Sequence, residues 1–207
     1  MKKEDILAAY SEFITKHNKR PLNMATFAES LKISEVEIYE FYSDFSVMDA
    51  EIMNHFILNA IDLTKKSSDQ GESNKEIILI FYYTLVEVLK ANRSLVLFLL
   101  PVNQGALNGI KALSSSKKSF LDFIEENEFD TNAFQFLPDG SIKTNVIKTG
   151  AWVQFCSILM YWLKDTSPDF EKTDLFIEKS LKLSFDIVDS SVAESFIDFG
   201  KFMFSKS

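Results

Sequence analysis

The sequence has few of the residues that build tight turns and covalent cross-links. Its 207 residues include one cysteine, four prolines and six glycines. A single cysteine, Cys156, cannot form an intramolecular disulfide, which is typical of proteins in a reducing compartment. Because sharp turns depend on proline and glycine, their scarcity favours long helices over a many-stranded sheet.

Long hydrophobic segments are also missing. The two longest apolar runs cover residues 77–89 and 95–102, which is shorter than the roughly 20 residues that a membrane-spanning helix needs. The first ten residues, MKKEDILAAY, contain no apolar core of the kind found in secretory signals. These features predict a cytoplasmic protein without a membrane partner.

Motifs for catalysis and metal binding are absent from the sequence. The two histidines, His17 and His55, lie far apart, and no CxxC, GxSxG or phosphate-binding glycine loop occurs. We interpret both histidines as surface or helix-end residues. The expectation is a protein with no catalytic residues, no metal site and no cofactor.

Positive charge is scarce. The chain carries a net charge of −8, and residues 1–60 alone contain six basic and ten acidic residues. Because phosphate contacts require lysine and arginine, this balance excludes a general nucleic-acid binder but leaves room for a small docking surface. The cations available near the N-terminus are Lys2, Lys3, Lys19, Arg20 and Lys32.

Hydrophobic residues, by contrast, are plentiful and recur at helical spacing. They make up 46% of the chain, which has 20 phenylalanines. The spacing predicts an amphipathic helix over 4–17 and a short second helix capped by Asn23. Ser34 opens a third helix, with Glu37 completing a capping box. Asp44 or Ser46 caps a fourth helix over about 47–66.

The remainder of the chain is predicted to be helical as well. Helices are expected over 75–91, 93–100, 117–126, 142–164, 170–189 and from 191 to about 204. Polar segments over 65–74, 103–116 and 127–141 separate them, and Pro168 suits the first position of a helix after Ser167. The fold class is therefore all-α with about nine or ten helices. We divide the chain into residues 1–46 and 47–207, with the helix 47–66 as the connector.

The first four predicted helices resemble the DNA-binding module of the TetR/AcrR family of bacterial regulators. The segment NMATFAESLKIS, residues 23–34, is similar to the family's second helix and turn. The segment SEVEIYEFYSDFSVM, residues 34–48, resembles its recognition helix and the start of the fourth helix. The sequence departs from the family pattern at three positions, where Lys32 replaces the glycine of the turn, Val36 a glycine of the recognition helix, and Phe45 a basic residue.

This resemblance implies a homodimer that binds palindromic double-stranded DNA through a helix-turn-helix. Tyr39 is the better candidate for a phosphate contact, because Tyr42 is expected to pack inward. An acidic recognition helix is possible because glutamate can accept a hydrogen bond from the N4 amino group of cytosine. The predicted DNA-binding residues are Met24 through its backbone N–H, Lys32, Ser34, Glu35, Glu37, Ile38, Tyr39 and Tyr42.

The resemblance also implies a second part that dimerises and binds an effector. The helix over 170–189 carries two adjacent apolar stripes. One contains Phe176, Leu183 and Ile187, and the other contains Ile177, Leu181, Phe185 and Val188. One stripe is expected to pack on its own core and the other to meet a second subunit. The predicted dimer interface is Trp162, Phe176, Ile177, Leu181, Phe185 and Val188. A cavity for a largely apolar small molecule is expected among Tyr82, Tyr83, Phe98, Phe120, Phe123, Trp152, Phe155 and Cys156, with Gln154 as a polar group; ordinary core packing is the alternative for all of them.

The sequence thus predicts a TetR-type transcriptional regulator that an apolar effector releases from its operator. The alternative is an all-helical dimer of the same descent that binds a ligand or a protein and has lost its affinity for DNA.

Overall fold

The computed structural model describes residues 1–68, 71–100, 112–127 and 141–188, and every regular element in these ranges is a helix. The predicted all-α class is confirmed. The helices are α1 (Lys3–His17), α2 (Met24–Leu31), α3 (Glu35–Tyr39), α4 (Phe45–Ser67), α5 (Asn74–Ala91), α6 (Arg93–Leu99), α7 (Ser114–Glu126), α8 (Ser141–Lys164) and α9 (Glu171–Val188), with a 3-10 turn at Pro168–Phe170 before α9.

Most helices begin within two residues of their predicted positions, and side-chain caps fix the starts of α2, α3 and α4. Asp44, and not Ser46, caps α4: its Oδ1 accepts hydrogen bonds from the backbone N–H groups of Ser46 and Val47. The helix α7 begins three residues earlier than predicted, at Ser114. The helix predicted from residue 191 to about 204 and most of the loop predicted over 127–141 lie outside the described residues.

The chain divides into two compact units, and each unit is made of two separate segments of the sequence. One unit contains Met1–Ser68 with Tyr83–Phe120, and the other contains Asp69–Tyr82 with Leu121–Ser207. The helices α1, α4 and α6 pack together in the first unit, and α8 packs on α9 in the second. The boundary predicted between residues 46 and 47 stays a prediction.

Three aromatic rings form the centre of the N-terminal head, residues 1–46. Tyr10 of α1 stacks on Phe45 with 5.1 Å between ring centroids, and Phe27 of α2 meets Tyr10 edge to face at 5.8 Å. Aromatic pairs of this kind contribute about 0.5–1.5 kcal/mol beyond their burial. Phe45, the residue that stands where the family carries a basic side chain, is half-buried and packs on the rings of Tyr10 and Phe27.

The turn between α8 and α9 is organised around the buried carboxylate of Asp165. One oxygen accepts hydrogen bonds from the backbone N–H and hydroxyl of Ser167, at 2.8 and 2.7 Å. The other accepts from the backbone N–H and hydroxyl of Thr173, at 2.9 and 2.6 Å, and so caps α9. Burial alone would raise the pKa of Asp165, but the hydrogen bonds from Thr173 and Ser167 outweigh it and lower the pKa to about 2.

Replacing Asp165 by alanine is expected to lower the free energy of unfolding by about 2 kcal/mol at neutral pH, because a carboxyl group with a depressed folded-state pKa stabilises the fold when ionised. This contribution is present above the unfolded-state pKa and disappears as the pH falls through about 2. Urea unfolding followed by circular dichroism measures the loss. The matched control is Asp186→Ala on the exposed surface of α9, and equal losses in both variants would contradict the assigned role.

Among the described helices, one segment is long and apolar enough to cross a membrane by length and composition alone. It is Thr144–Lys164, most of α8, and 33% of its apolar window is buried. Polar residues interrupt the apolar runs of this segment, so it is not one of the longest apolar runs in the sequence. Core and interface helices of proteins outside membranes pass the same test.

Candidate nucleic-acid interface

The helix-turn-helix begins at Asn23, whose side chain caps α2. Its Oδ1 accepts a hydrogen bond from the backbone N–H of Thr26 at 2.8 Å, and the Thr26 hydroxyl accepts one from the N–H of Asn23 at 3.2 Å. The cap at Asn23 was predicted, whereas the return bond through Thr26 was not. These bonds leave the backbone N–H of Met24, in the first turn, without an intrahelical acceptor, which is what an anion-binding helix end requires. The Met24 side chain itself is buried.

The turn between α2 and α3 holds Lys32 in the left-handed region, with φ 59° and ψ 38°. Its backbone N–H donates to the carbonyl oxygens of Ala28 and Glu29, which ends α2. This is the conformation for which glycine is favoured, and a residue with a side chain pays about 1–2 kcal/mol for it. The chain therefore forms the turn in spite of the substitution, and the Lys32 side chain is exposed.

Ser34 and Glu37 form the predicted capping box at the start of α3. The carboxylate of Glu37 accepts a hydrogen bond from the backbone N–H of Ser34 at 3.0 Å and another from its hydroxyl at 3.2 Å. These bonds, first the one from the backbone, lower the pKa of Glu37. Both side chains thus fix the start of α3, and their contact with DNA stays a prediction.

The orientation of α3 separates its inner from its outer residues. Ile38 and the following Tyr42 are 0% exposed, so they belong to the core of the head, which corrects their prediction as DNA contacts. For Tyr42, the expected inward packing is what the structure shows. Val36 and Tyr39 face outward and are 69% and 50% exposed. Val36 was not among the predicted contacts, although its position two residues before Ile38 places it on the opposite side of the helix.

On the outer face, the Tyr39 hydroxyl donates a hydrogen bond to the Glu35 carboxylate at 2.7 Å. This bond raises the pKa of Tyr39. The contact holds the two side chains side by side, one turn apart on the outward surface. Glu40, the residue after α3, is also exposed.

Two of the five cations counted near the N-terminus are engaged within the head and α4. Lys3 pairs with Glu51 at 2.8 Å, and Arg20 pairs with Asp49. Within the fully described residues 1–68, Lys2, Lys19 and Lys32 are exposed and form no ion pair. The positive charge available to a phosphate backbone is therefore smaller than the sequence suggested.

A polar cluster joins the loop after α1 to three helices of the first unit. Asp49 of α4 is 4% exposed, and it accepts hydrogen bonds from the Arg20 guanidinium and, at 2.9 Å, from the Tyr10 hydroxyl. The guanidinium lies over the ring of Phe98 in α6, 5.0 Å from its centroid. Burial raises the pKa of Asp49, while the bonds from Arg20 and Tyr10 act against that rise. This cluster was not predicted from the sequence.

The predicted dimer residues separate into buried and half-buried positions. Trp162, Ile177 and Leu181 are buried inside the protomer, which corrects their prediction as interface residues. Phe176 is half-buried and stacks on Tyr161 at 4.4 Å, and Phe185 is half-buried beneath Lys75. Val188 ends α9, and its side chain is not described.

A different set of apolar side chains is exposed on α8 and α9. Val146, Val153 and Met160 recur every seven residues along α8, so they lie on one face of that helix. Val153 is 58% exposed and Leu183 of α9 is 60% exposed. We call this set, with Leu175, the apolar face of α8 and α9.

The residues predicted to line a pocket are distributed over both units. In the second unit, Tyr82, Phe123 and Phe155 are buried, while Trp152 and Cys156 are half-buried. In the first unit, Phe120 is buried, Tyr83 is half-buried and Phe98 lies beneath Arg20. The side-chain nitrogen of Gln154 is buried and has no hydrogen-bond partner among the described residues.

Among the described residues, no group of three or more His, Cys, Asp or Glu side chains is arranged so that it could hold a metal ion.

The part of the chain that the structure describes is all-α and contains a helix-turn-helix, α2 and α3, whose second helix has an exposed outer face. A family model described as tetracyclin repressor-like, C-terminal domain, matches residues 78–203. The match covers more than half of the chain, and the chain therefore belongs to the tetracyclin repressor-like (TetR) family.

Two solved structures are similar to this chain at low sequence identity. The fatty acid degradation regulator FadR from Bacillus halodurans superposes with a TM-score of 0.54 at 15% identity, covering 87% of this chain and 92% of FadR. A protein of unknown function from Rhodococcus sp. RHA1 gives 0.49 at 14% identity, with coverages of 86% and 92%. A comparison with curated protein sequences finds no significant match.

Proposed function

We propose that this protein is a cytoplasmic, DNA-binding transcriptional regulator that binds a palindromic operator as a homodimer. The observation that carries the proposal is the orientation of α3. Ile38 is buried on one side of this short helix, and Val36 and Tyr39 are exposed on the other. In a helix-turn-helix, the second of the two helices, here α3, lies in the major groove and contacts the bases with its N-terminal residues.

The head offers a defined set of groups to a DNA backbone. The N–H of Met24 at the start of α2 and the exposed side chains of Lys2, Lys19 and Lys32 are suited to phosphate oxygens. The Tyr39 hydroxyl can exchange its bond with Glu35 for one to a phosphate. Because only four lysines in residues 1–68, namely Lys2, Lys16, Lys19 and Lys32, are exposed without an ion pair, affinity depends on salt less steeply than in a typical basic DNA-binding domain.

The homodimer is proposed to form through the apolar face of α8 and α9. A stripe of exposed valine, leucine and methionine side chains on adjacent helices is the pattern of an uncovered subunit contact. Two-fold pairing would present two heads to the two halves of a palindrome.

An apolar small molecule is the proposed effector, and the second unit has the side chains to bind one. Phe81 packs on Phe123 with 4.9 Å between centroids, and Trp152 stacks on Phe155 at 5.1 Å. The unpartnered amide nitrogen of Gln154 would donate to an acceptor on such a ligand. Binding would shift the population between states of different head spacing.

The test is a gel shift with the DNA upstream of the protein's own gene, repeated from low to physiological salt. The wild-type chain is expected to form a sequence-selective complex. Removing only the hydroxyl, in Tyr39→Phe, should weaken it about ten-fold, the worth of a hydrogen bond to a charged phosphate. Absence of any complex at low salt would favour the alternative, a dimer of this family that binds a ligand or protein and not DNA.

A further inference from the structure

The outward surface of α3 has an unusual chemistry for a helix that enters DNA. At its centre lies Val36, which is the most exposed of the apolar residues of α3. On either side of it lie the carboxylates of Glu35 and Glu40, and no residue of α3 is a lysine or arginine. The carboxylate of Glu35 accepts the hydrogen bond of the Tyr39 hydroxyl. When that hydroxyl turns to a phosphate, the carboxylate is free to accept a hydrogen bond from a base.

This surface matches some base edges and not others. Guanine presents two acceptors, O6 and N7, to the major groove, and these are bound by lysine or arginine. Glutamate carboxylates would repel them. Thymine instead presents a methyl group, which prefers an apolar side chain, while cytosine and adenine present amino groups that donate to a carboxylate.

We infer that Val36 is a specificity-determining residue that contacts the methyl group of a thymine in each operator half-site, next to base pairs whose amino groups face Glu35 and Glu40. This inference rests on the proposed DNA-binding function and adds to it the identity of the base. The side chain at position 36 is then the feature that selects the operator, since Glu37 is used in the cap and Ile38 is buried.

The experiment selects duplexes from a random library with the full-length wild-type chain. Thymines in the enriched site are then replaced symmetrically, one position at a time, by deoxyuridine, which keeps base pairing and removes only the methyl group. Burial of one methyl corresponds to about a four-fold change in affinity, and therefore to about fifteen-fold for both half-sites. We expect a loss of this size at one thymine position per half-site, measured by fluorescence anisotropy.

The variant Val36→Ala should bind the thymine and deoxyuridine duplexes within about two-fold of each other. The matched control is Val47→Ala, the same change at an exposed valine in α4, which should keep the wild-type discrimination. Thermal unfolding of both variants checks that the exposed substitutions leave the fold intact.

Two outcomes would overturn the inference in distinguishable ways. An enriched site whose thymines can all be replaced without loss would remove the assigned role of Val36 and leave the proposed function standing. A selection that enriches no sequence at all would overturn the proposed function, and the role of Val36 with it.

Discussion

Replacing Arg20 by methionine is expected to lower the free energy of unfolding by about 3 kcal/mol at neutral pH. The change removes the charged partner of Asp49, whose carboxylate is 4% exposed. Removing one member of a buried ion pair typically costs about 3–5 kcal/mol, and the lower end applies because Arg20 itself is half-exposed. Loss of the contact between the guanidinium and Phe98 adds a smaller term.

The loss should depend on pH in a direction that the structure fixes. Burial raises the pKa of Asp49, and Arg20 opposes this, so the variant's Asp49 has a still higher folded-state pKa. A carboxyl group whose pKa is raised on folding destabilises the fold when ionised. The variant should therefore regain stability as the pH falls from neutral through the folded-state pKa towards the unfolded-state value. Urea unfolding at several pH values measures this recovery.

Two further variants separate the buried charge from other effects. Lys19→Met changes the neighbouring exposed cation and should cost less than about 0.5 kcal/mol. The double variant carrying Asp49→Asn and Arg20→Met has no carboxylate at position 49, so the pH-dependent part of the loss should vanish. A loss in Arg20→Met that is independent of pH would contradict the role assigned to the Arg20–Asp49 pair.

The sequence predicts the head well where structure is set by local signals. The caps at Asn23 and Ser34 were predicted because a capping residue and its partner lie within three positions of each other. The cluster of Arg20, Asp49 and Tyr10 could not be predicted in the same way. Its members are 29 and 39 positions apart, and only the packing of α1 on α4 brings them together.

Errors at the candidate sites arise from helix orientation and not from helix position. The helix α3 was correctly expected, but its few apolar residues do not reveal which side of the helix faces the core. Ile38 was therefore assigned to DNA in place of Val36. For α9, the two stripes were recognised, and the one containing Ile177 and Leu181 proved to be the buried one. Two apolar stripes on one helix are equivalent until a neighbouring helix covers one of them.

Introducing a carboxylate at Val153 is expected to convert the proposed dimer into a monomer. Val153 lies at the middle of the stripe formed by Val146, Val153 and Met160, and it is 58% exposed in the isolated chain. A Cβ built on the neighbouring Gly150 would meet no atom within 4 Å, so this part of α8 is open to the close approach of another helix. In a two-fold dimer, Val153→Asp would place two unpaired carboxylates in one apolar contact.

The expected change is a rise of at least about 100-fold in the dimer dissociation constant, because burying each unpaired charge costs several kcal/mol. Sedimentation velocity over a range of concentrations measures it. The control, Leu58→Asp, makes the same kind of change at an exposed leucine of α4 outside the apolar face, and it should leave the dimer unchanged.

Since contact with both halves of a palindrome needs two heads, Val153→Asp should also weaken binding to a full operator while leaving binding to a single half-site unchanged. A variant that remains dimeric, or a control that dissociates, would place the subunit contact on another face of the chain.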